Sequence, residues 1–252
     1  MVKHILILGG TGEARELAHR ISLEMDKKVM ITTSLAGMRT KSPNLPGKVR
    51  NGGFGGIEGM KAYLSEKTVD LLIDATHPFS KIISNHATKA CNSVNNGKIS
   101  RLQLMRPLWR IPTSAKWIEV DDLNAAATYL QKKSKRVFLT TGIRGLDNFS
   151  GMKSLWFLVR LIDQPKNNLP LENFQIITGL PPFTLEVEQS IIDKNSIDTL
   201  VAKHAGGSAT ETKILAAAEA GIKIVLIRRP EPEKGHVVES VNKALAWIQE
   251  RV

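Results

Sequence analysis

The chain is poor in cysteine and in aromatic residues: Cys91 is the single cysteine among 252 residues, and aromatics make up 5%. One cysteine excludes a disulfide framework and a cysteine metal cluster within one chain. No apolar run is long enough to cross a bilayer, and the first strand-like run starts too early to leave room for a cleavable signal peptide. We therefore expect a cytoplasmic protein with no membrane partner.

Acidic residues are scarce relative to basic ones, since 35 Lys and Arg face 24 Asp and Glu, for a formal net charge of +11. Such a surplus attracts anionic partners. Nucleic acid would be one, but aromatics are few and no helix-turn-helix, zinc-finger or RNP-like segment stands out. The densest basic run, 132–136, follows a helix-like segment and is typical of a solvated helix end. The charge therefore favours a small, highly acidic ligand over nucleic acid.

The first apolar run, His4–Leu8, leads straight into a glycine turn and a helix-like segment that starts at Gly12. Glycines let a backbone approach a bound anion, and a helix N-terminus presents unpaired N–H groups to it. The G-x-G-x-x-G/A dinucleotide pattern fits only in part: counted from Gly9, Thr11 takes the second position and Ala14 the third. Two interpretations stay open, a dinucleotide site and an ordinary strand–helix turn without a ligand.

Strand-like and helix-like runs alternate along the whole chain, which predicts parallel sheets covered by helices. Two prolines, Pro107 and Pro112, interrupt this alternation and indicate a domain junction. We expect an α/β protein of two Rossmann-like lobes, a dinucleotide-binding lobe over 1–110 and a second lobe over 111–252. A cleft between such lobes is a favoured place for a substrate. The last helix is expected over Val237–Ile248.

The residues after the second strand-like run carry hydroxyls and cations instead of acids. An NAD-specific site usually places Asp or Glu here, against the adenosine ribose. This chain has Thr33 and Ser34, followed by Arg39 and Lys41. A guanidinium can grip a 2′-phosphate with two donors, whereas a carboxylate would repel it. The segment therefore favours NADP over NAD; a basic surface loop is the alternative.

A run of four glycines surrounds one aromatic residue in Gly52–Gly56. Glycine loses much backbone entropy on folding, so a purely passive loop of this composition is an unfavourable choice. The bare backbone at Gly53 and Gly55 would let a flat ligand approach closely. Phe54 would then flank the nicotinamide or a substrate ring, with an exposed aromatic plug as the alternative.

The buried run Leu71–Ala75 ends in the polar residues Thr76 and His77. Both would project at the carboxyl edge of the strand, near a cofactor. His77 could donate a hydrogen bond or relay a proton, and a capping or packing role is the alternative. The spacing from His77 to His86 fits no standard metal pattern, and we predict no metal.

The second lobe contains another strand that runs into a turn of small residues, Leu200–Gly207. Lys203 emerges there, where an anionic substrate or a proton acceptor could meet it. Several arginines also fall at or near predicted strand ends: Arg101, Arg106, Arg144, Arg160 and Arg228. Each alone is typical of a surface charge, but a set converging on one cleft would suit a polycarboxylate.

Together these segments resemble the precorrin-6A reductase family of cobalamin biosynthesis, in its aerobic or cobalt-handling form. The similarity extends over nearly the whole chain, in the order that the family has. The matching segments are Ile5–Ala18, Ser34–Pro46, Arg50–Gly56, Asp74–Phe79, Arg106–Trp109, Pro182-Phe183 with Glu186 and Glu188, Leu200–Gly207 and Ile227–Pro230. The segments Asp-Ala-Thr-His-Pro-Phe and Gly-Gly-Phe-Gly-Gly are particularly specific. The chain departs from the family's pattern at Met38, at Leu180-Pro181, and at His204-Ala205, where Asn-Ser is common.

The resemblance implies NADPH-dependent reduction of one double bond in a ring-contracted tetrapyrrole. Its acetate and propionate side chains account for the basic surplus, and neighbouring pathway enzymes are expected as transient partners. The implied cofactor residues are Gly9, Gly10, Thr11, Glu13 and Ala14 at the pyrophosphate, Thr33, Ser34 and Arg39 at the adenosine phosphate, and Gly53, Phe54, Gly55, Thr76 and His77 near the nicotinamide. The expected substrate residues are Arg106, Arg144, Arg160, Lys203 and Arg228. Lys203, His77 or water would supply the proton.

Two other functions compete with this interpretation. One is an NADP-dependent reductase of short-chain or epimerase type. Its Tyr-x-x-x-Lys pair is missing, because neither Tyr63 nor Tyr129 has a lysine four residues on. The other is a non-catalytic nucleotide or nucleic-acid sensor, whose polynucleotide binding would fall steeply with salt.

Overall fold

The computed structural model describes residues 2–25, 27–37 and 44–252 of the chain. The chain divides into two compact units, and the sequence of the second is inserted into that of the first. Unit 1 comprises Met1–Arg106 and Pro230–Val252, and unit 2 comprises Pro107–Arg229. Within the described ranges, no helix is long and apolar enough to cross a membrane.

Strands and helices alternate in both units, as the sequence pattern predicts. The strands are β1 (Lys3–Leu8), β2 (Val29–Leu35), β3 (Lys48–Asn51), β4 (Leu71–Asp74), β5 (Ser100–Leu104), β6 (Lys116–Val120), β7 (Arg136–Leu139), β8 (Trp156–Leu161), β9 (Phe174–Thr178), β10 (Thr199–Lys203), β11 (Lys223–Ile227) and β12 (His236–Val238). The helices are α1 (Gly12–Met25), α2 (Gly56–Glu66), α3 (Lys81–Ser93), α4 (Leu123–Lys133), α5 (Leu185–Lys194), α6 (Thr212–Glu219) and α7 (Val241–Gln249).

The sheet of unit 1 has six parallel strands in the order β12-β5-β4-β1-β2-β3. Its central strand is apolar on both faces, because successive side chains of a strand point to opposite sides. Ile5 and Ile7 pack into the cluster that contains α1 and α7, whereas Leu6 and Leu8 pack against α2 and α3. Helices therefore cover both faces, which explains the uninterrupted apolar run of β1.

Unit 2 repeats this architecture with six parallel strands in the order β6-β11-β10-β7-β8-β9. Its core centres on β10, where Leu200, Val201 and Ala202 have no exposed surface. The expected fold class, two Rossmann-like lobes with parallel sheets, is confirmed. In each unit the carboxyl ends of the strands meet at one edge, where the turns leading to the helices lie.

The domain division differs from the expected one at the C-terminus. Residues 230–252 belong to unit 1 and not to a second lobe over 111–252. The reason is pairing: β12 lies parallel to β5, with Val237 opposite Gln103. The helix α7 then packs on α1, and its Trp247 and Ile248 belong to the same apolar cluster as Leu17 and Ile21. The helix expected from Val237 is therefore a three-residue strand followed by a helix that begins at Val241.

Candidate active site

The turn between β1 and α1 is open toward solvent on its glycine side. Gly9 N–H donates to Ser34 O at 2.9 Å, which ties the turn to β2. Gly10 has a φ of +113°, and a Cβ at this position would meet nothing within 4 Å. A positive φ favours glycine, and the open space leaves the backbone accessible. The turn can therefore accept a phosphate close to its N–H groups.

Thr11 holds the turn in place through its side chain. Its Oγ1 donates to Ala75 O at 2.7 Å, beyond the end of β4, and accepts from Ala14 N–H at 3.1 Å. The second contact satisfies one of the N–H groups that a helix start leaves without a backbone partner. Ala14 is buried against the sheet, with 1% of its surface exposed. A small residue here lets α1 lie close to the strands.

Glu13 and Arg106, expected at the cofactor and at the substrate respectively, form an ion pair with each other. Arg106 Nη1 lies 3.0 Å from Glu13 Oε2 and 3.1 Å from Oε1, and both side chains are largely buried. A carboxylate next to an anion-binding turn would repel a phosphate. The guanidinium offsets that charge, so the pair keeps the turn suitable for an anion.

The ends of β2 and β3 come together around Arg50, which stands opposite Ser34 in the sheet. Arg50 Nη1 donates to Ser34 Oγ at 2.8 Å and to Gly52 O at 3.0 Å, and Nη2 donates to Gly53 O at 3.0 Å. Among the described residues, Arg50 Nε has no hydrogen-bond partner. Arg39, expected at the adenosine phosphate, lies outside the described residues, as does Lys41.

The glycine-rich loop after β3 is organised by the same arginine. The guanidinium of Arg50 lies 3.9 Å from the centre of the Phe54 ring, and Phe54 meets Tyr63 edge-to-face at 5.3 Å. Gly55 adopts a φ of +76°, immediately before α2 begins. Phe54 is therefore held by a cation–π contact and a second aromatic ring. It packs against α2 instead of standing as an isolated exposed plug.

The end of β4 places a buried carboxylate beneath Thr76. Asp74 Oδ1 accepts from Thr76 N–H at 3.2 Å and from Thr76 Oγ1 at 2.7 Å. His77 Nδ1 accepts from Phe79 N–H at 3.2 Å, so a neutral His77 ring carries its proton on Nε2. Within the described ranges, Thr33 Oγ1 and Asp74 Oδ2 are buried without a hydrogen-bond partner.

Four strand ends thus supply one edge of the unit 1 sheet. Because β4, β1, β2 and β3 are neighbours in the sheet, their C-terminal turns are also neighbours. These strand ends, together with the turns and the first residues of α1 that follow them, carry the expected cofactor residues of the described ranges: Gly9, Gly10, Thr11, Glu13, Ala14, Thr33, Ser34, Gly53, Phe54, Gly55, Thr76 and His77. The carboxyl edge next to the first strand is where open α/β sheets bind nucleotides.

In unit 2, Lys203 ends β10 and is half-buried. Burial lowers the pKa of the Lys203 ammonium, and the nearby positive charge of Arg144 lowers it further. The structure thus brings two of the expected substrate residues, Lys203 and Arg144, within electrostatic reach of each other. Such a cationic pair favours a carboxylate ligand, and a lysine with a lowered pKa releases a proton more readily near neutral pH.

Arg160, another expected substrate residue, is committed to a buried ion pair. Its Nη1 lies 2.8 Å from Glu188 Oε1, with 7% of the Arg160 side chain and none of the Glu188 side chain exposed. The rings of Phe138 and Phe183 lie 4.9 and 4.2 Å from the guanidinium carbon. This arrangement makes Arg160 part of the core of unit 2, although it lies one residue before the end of β8.

Arg228 is about half exposed and bridges two acids. Its Nε lies 3.0 Å from Glu119 Oε2, and its Nη1 lies 2.6 Å from Asp121 Oδ1. Glu119 also binds His204 Nδ1 at 3.0 Å. Burial would raise the pKa of the Glu119 carboxyl, but hydrogen bonds from His204 and Arg228 outweigh it and the pKa is lowered. Glu119 is therefore ionised at neutral pH.

Sequence reasoning missed Arg50, Asp74 and the Glu119–His204 pair as parts of the candidate sites. Arg50 had a usable signal, because it ends the short strand-like segment Lys48–Arg50 just before the glycine run. Asp74 had one too, as the single acid that ends the buried run of β4. Glu119 and His204 had none, since they lie 85 residues apart and meet only through the pairing of β6, β11 and β10.

Known proteins are similar to this chain along nearly its whole length. A family model described as "Precorrin-6x reductase CbiJ/CobK" matches residues 4–249. A protein of Rhodococcus erythropolis named precorrin-6A reductase is 39% identical over 97% of this chain and 96% of that protein. One of Mycobacterium tuberculosis with the same name is 38% identical over the same shares. A solved structure titled "CobK precorrin-6A reductase" superposes with a TM-score of 0.90 at 32% identity, covering 99% of this chain and 97% of that one.

Proposed function

Because the chain belongs to the precorrin-6x reductase family, we propose that it reduces one carbon–carbon double bond of precorrin-6A with NADPH, in the biosynthesis of the corrin ring. The observation that carries the proposal is the match over residues 4–249, which includes all twelve strands of the described residues except Lys3 at the start of β1. The two relatives compared above are named for precorrin-6A itself, which favours the cobalt-free macrocycle as substrate.

The turns at the carboxyl edge of the unit 1 sheet fit a dinucleotide. Gly10 offers open backbone, the start of α1 offers N–H groups, and the Glu13 charge beside them is offset by Arg106. The buried Thr33 Oγ1, which lacks a partner among the described residues, can also take up a hydrogen bond there. When bound, a reduced nicotinamide supplies the hydride. We therefore assign cofactor binding to unit 1, in place of the lobe over residues 1–110 expected from the sequence.

NADPH is favoured over NADH by the charge at the ends of β2 and β3. No Asp or Glu occurs between Thr33 and Lys41, so no carboxylate of this segment accepts a hydrogen bond from an adenosine ribose. Arg50 instead presents a half-buried guanidinium beside Ser34 Oγ. A guanidinium held by Ser34 and two loop carbonyls is pre-organised to bind a 2′-phosphate.

Charged residues of unit 2 are assigned to substrate binding and to proton donation. The acetate and propionate groups of a tetrapyrrole are carboxylates, which the cationic pair of Lys203 and Arg144 attracts. Lys203 is the proposed proton donor, since burial and Arg144 both lower the pKa of its ammonium. Arg228 is the more exposed candidate for a further carboxylate, and Arg160 supports the fold through Glu188.

Replacing Arg50 with glutamine is expected to weaken the binding of 2′,5′-ADP by about 10- to 100-fold, the effect of losing a charge-assisted hydrogen bond of about 1.5–3 kcal/mol. Binding of 5′-AMP, which lacks the 2′-phosphate, should change by less than about threefold. Isothermal titration calorimetry with both nucleotides measures this contrast and needs no tetrapyrrole. An equal loss for both nucleotides would show that Arg50 acts only through the glycine loop.

The proposed activity is tested by the loss of NADPH absorbance on addition of precorrin-6A. We expect oxidation in proportion to the tetrapyrrole added, much slower oxidation of NADH, and slower turnover of the cobalt complex in a parallel assay. A nucleotide sensor would be stabilised by NADPH without consuming it. Absence of tetrapyrrole-dependent oxidation with either macrocycle would overturn the proposal.

A further inference from the structure

The backbone turn after β10 is fixed by hydrogen bonds to its own strand and to the neighbouring strand. Ala205 N–H donates to Lys203 O at 2.7 Å, and His204 N–H donates to Ile227 O at 2.9 Å, at the end of β11. Lys203, the proposed proton donor, is therefore the first residue of a turn whose next two amides are both bonded.

The second half of the turn is held by close backbone contact. Gly206 has a φ of +72°, and a Cβ at this position would lie 1.9 Å from Pro107 O. Only glycine allows so close an approach. Trp109 Nε1–H donates to Gly207 O at 2.7 Å. The indole of Trp109 thus anchors the end of the turn and lies against the ring of His204, with the two ring centres 5.8 Å apart and an interplanar angle of 26°.

The side chain of His204 links this turn to the edge strand β6, two strands away in the sheet. It is 5% exposed, its Nδ1 lies 3.0 Å from Glu119 Oε1 on β6, and the Trp117 ring meets it edge-on at 6.4 Å. An ionised Glu119 only accepts hydrogen bonds, so Nδ1 of His204 carries the proton. Within the described ranges His204 Nε2 is buried without a partner, so the polar orientation of the ring depends on Glu119 alone.

We propose that Glu119 and His204 form a positioning pair that fixes the Lys203 turn during reduction, an inference that rests on the proposed function. The pair acts through the backbone: Glu119 orients the imidazole, and the imidazole packed between Trp109 and Trp117 holds residue 204 at the end of β11. Lys203, one residue earlier, then keeps its ammonium at a constant position. Neither member of the pair is assigned a contact with substrate or cofactor, so both are positioning residues.

The electrostatic surroundings of His204 come from three elements packed against it. Glu119 lies on β6, Arg228 follows β11 and binds Glu119 Oε2, and Lys213 on α6 lies 5.0 Å from the centre of the Trp109 ring. Asp121 pairs with a different nitrogen of Arg228, Nη1, at 2.6 Å, and 77% of its side chain is exposed. A change at Asp121 therefore leaves the Glu119–His204 contact in place, which makes it a matched control.

The test compares four single variants of the full chain with the unsubstituted protein: the three described next and the conservative Glu119→Gln. His204→Phe keeps an aromatic ring but removes the Nδ1–H donor, Glu119→Leu removes the acceptor, and Asp121→Asn is the control. Hydrogen exchange at the amides of residues 204 and 205 reports the turn directly. The rate of single-turnover reduction of precorrin-6A by NADPH reports proton donation by Lys203. The KM values separate effects on binding from effects on the chemical step.

We expect exchange at residues 204 and 205 to rise at least about tenfold in H204F and in E119L, while the rest of unit 2 is unchanged. In the same two variants the single-turnover rate should fall by about 10- to 100-fold, while the KM values for NADPH and for precorrin-6A should each change by less than about twofold. D121N should match the unsubstituted protein in exchange at residues 204 and 205 and in the single-turnover rate. Glutamine at position 119 keeps an amide oxygen that can accept from Nδ1, so E119Q should restore most of the rate.

Unchanged exchange at residues 204 and 205, or an increase spread over all of unit 2, would overturn the positioning role. A loss of activity that consists only of a raised KM, with an unchanged single-turnover rate, would also overturn it. The exchange measurement uses neither NADPH nor tetrapyrrole. If the unsubstituted protein fails to reduce precorrin-6A, the proposed function fails, while the exchange data still decide whether the pair fixes the turn.

Discussion

Replacing Lys203, the proposed proton donor, with methionine is expected to lower the single-turnover rate of tetrapyrrole reduction by about 10²- to 10⁴-fold, the range that a positioned proton donor contributes. Methionine is about as long as the aliphatic part of lysine and keeps the buried part of the side chain apolar. It removes only the ammonium, which stands at the end of β10 with a lowered pKa caused by burial and by Arg144. Stopped-flow loss of NADPH absorbance under single-turnover conditions measures the effect. An unchanged rate would leave His77 or water as the donor.

The pH dependence gives a second readout of the same residue. The donor must be protonated, so the rate falls as pH rises through the pKa of Lys203. Because that pKa is lowered in the folded protein, the fall begins at a lower pH than an ordinary lysine would give. Arg144→Gln removes one of the two causes, so the fall should move to higher pH. A profile that is the same in both proteins would contradict the role of Arg144.

Replacing Glu188 with alanine is expected to lower the free energy of unfolding of unit 2 by about 3–5 kcal/mol, the cost of leaving a buried charge without its partner. Arg160 would then lie between two phenylalanine rings without its carboxylate 2.8 Å away. Urea unfolding followed by tryptophan fluorescence reports this unit, because three of the four tryptophans lie in it: Trp109, Trp117 and Trp156.

Two controls separate the buried charge from the general loss of side-chain volume. The double variant Arg160→Met with Glu188→Leu removes both charges and should recover most of the stability, since an apolar pair of similar size is often no less stable than a buried ion pair. Asp121→Ala breaks an exposed pair with Arg228 in the same unit and should cost less than about 1 kcal/mol. A double variant as unstable as E188A would show that packing, and not charge, causes the loss.

The α/β class and most strands could be predicted because each sheet is buried on both faces. The run Ile5–Leu8 is apolar throughout, and its alternate residues face two different helical layers. The strand β12 could not be predicted, because three residues cannot display a period and their side chains are largely exposed. Its place in unit 1 depends on pairing with β5, more than 130 residues earlier, which local pattern does not encode.

The cofactor edge could be predicted better than the substrate side for a similar reason. Gly9, Thr11 and Ala14 form a local motif whose geometry depends on neighbouring residues. In the sequence, the arginines expected at the substrate stand out only as charges near strand ends, whereas their partners are set by tertiary contacts. Arg160 meets Glu188 on α5, and Arg106 meets Glu13 at the start of α1, 93 residues away. Charge type alone could not distinguish a ligand-binding arginine from one that balances a buried acid.

The central claim is that this protein transfers hydride from NADPH to the precorrin-6A macrocycle. It is tested most directly by reaction with NADPH stereospecifically deuterated at C4, once for each face, followed by mass spectrometry of the tetrapyrrole. The account predicts a product that has gained two hydrogens and contains one deuterium from only one of the two cofactors. A product without deuterium from either cofactor, or an unaltered tetrapyrrole, would contradict it.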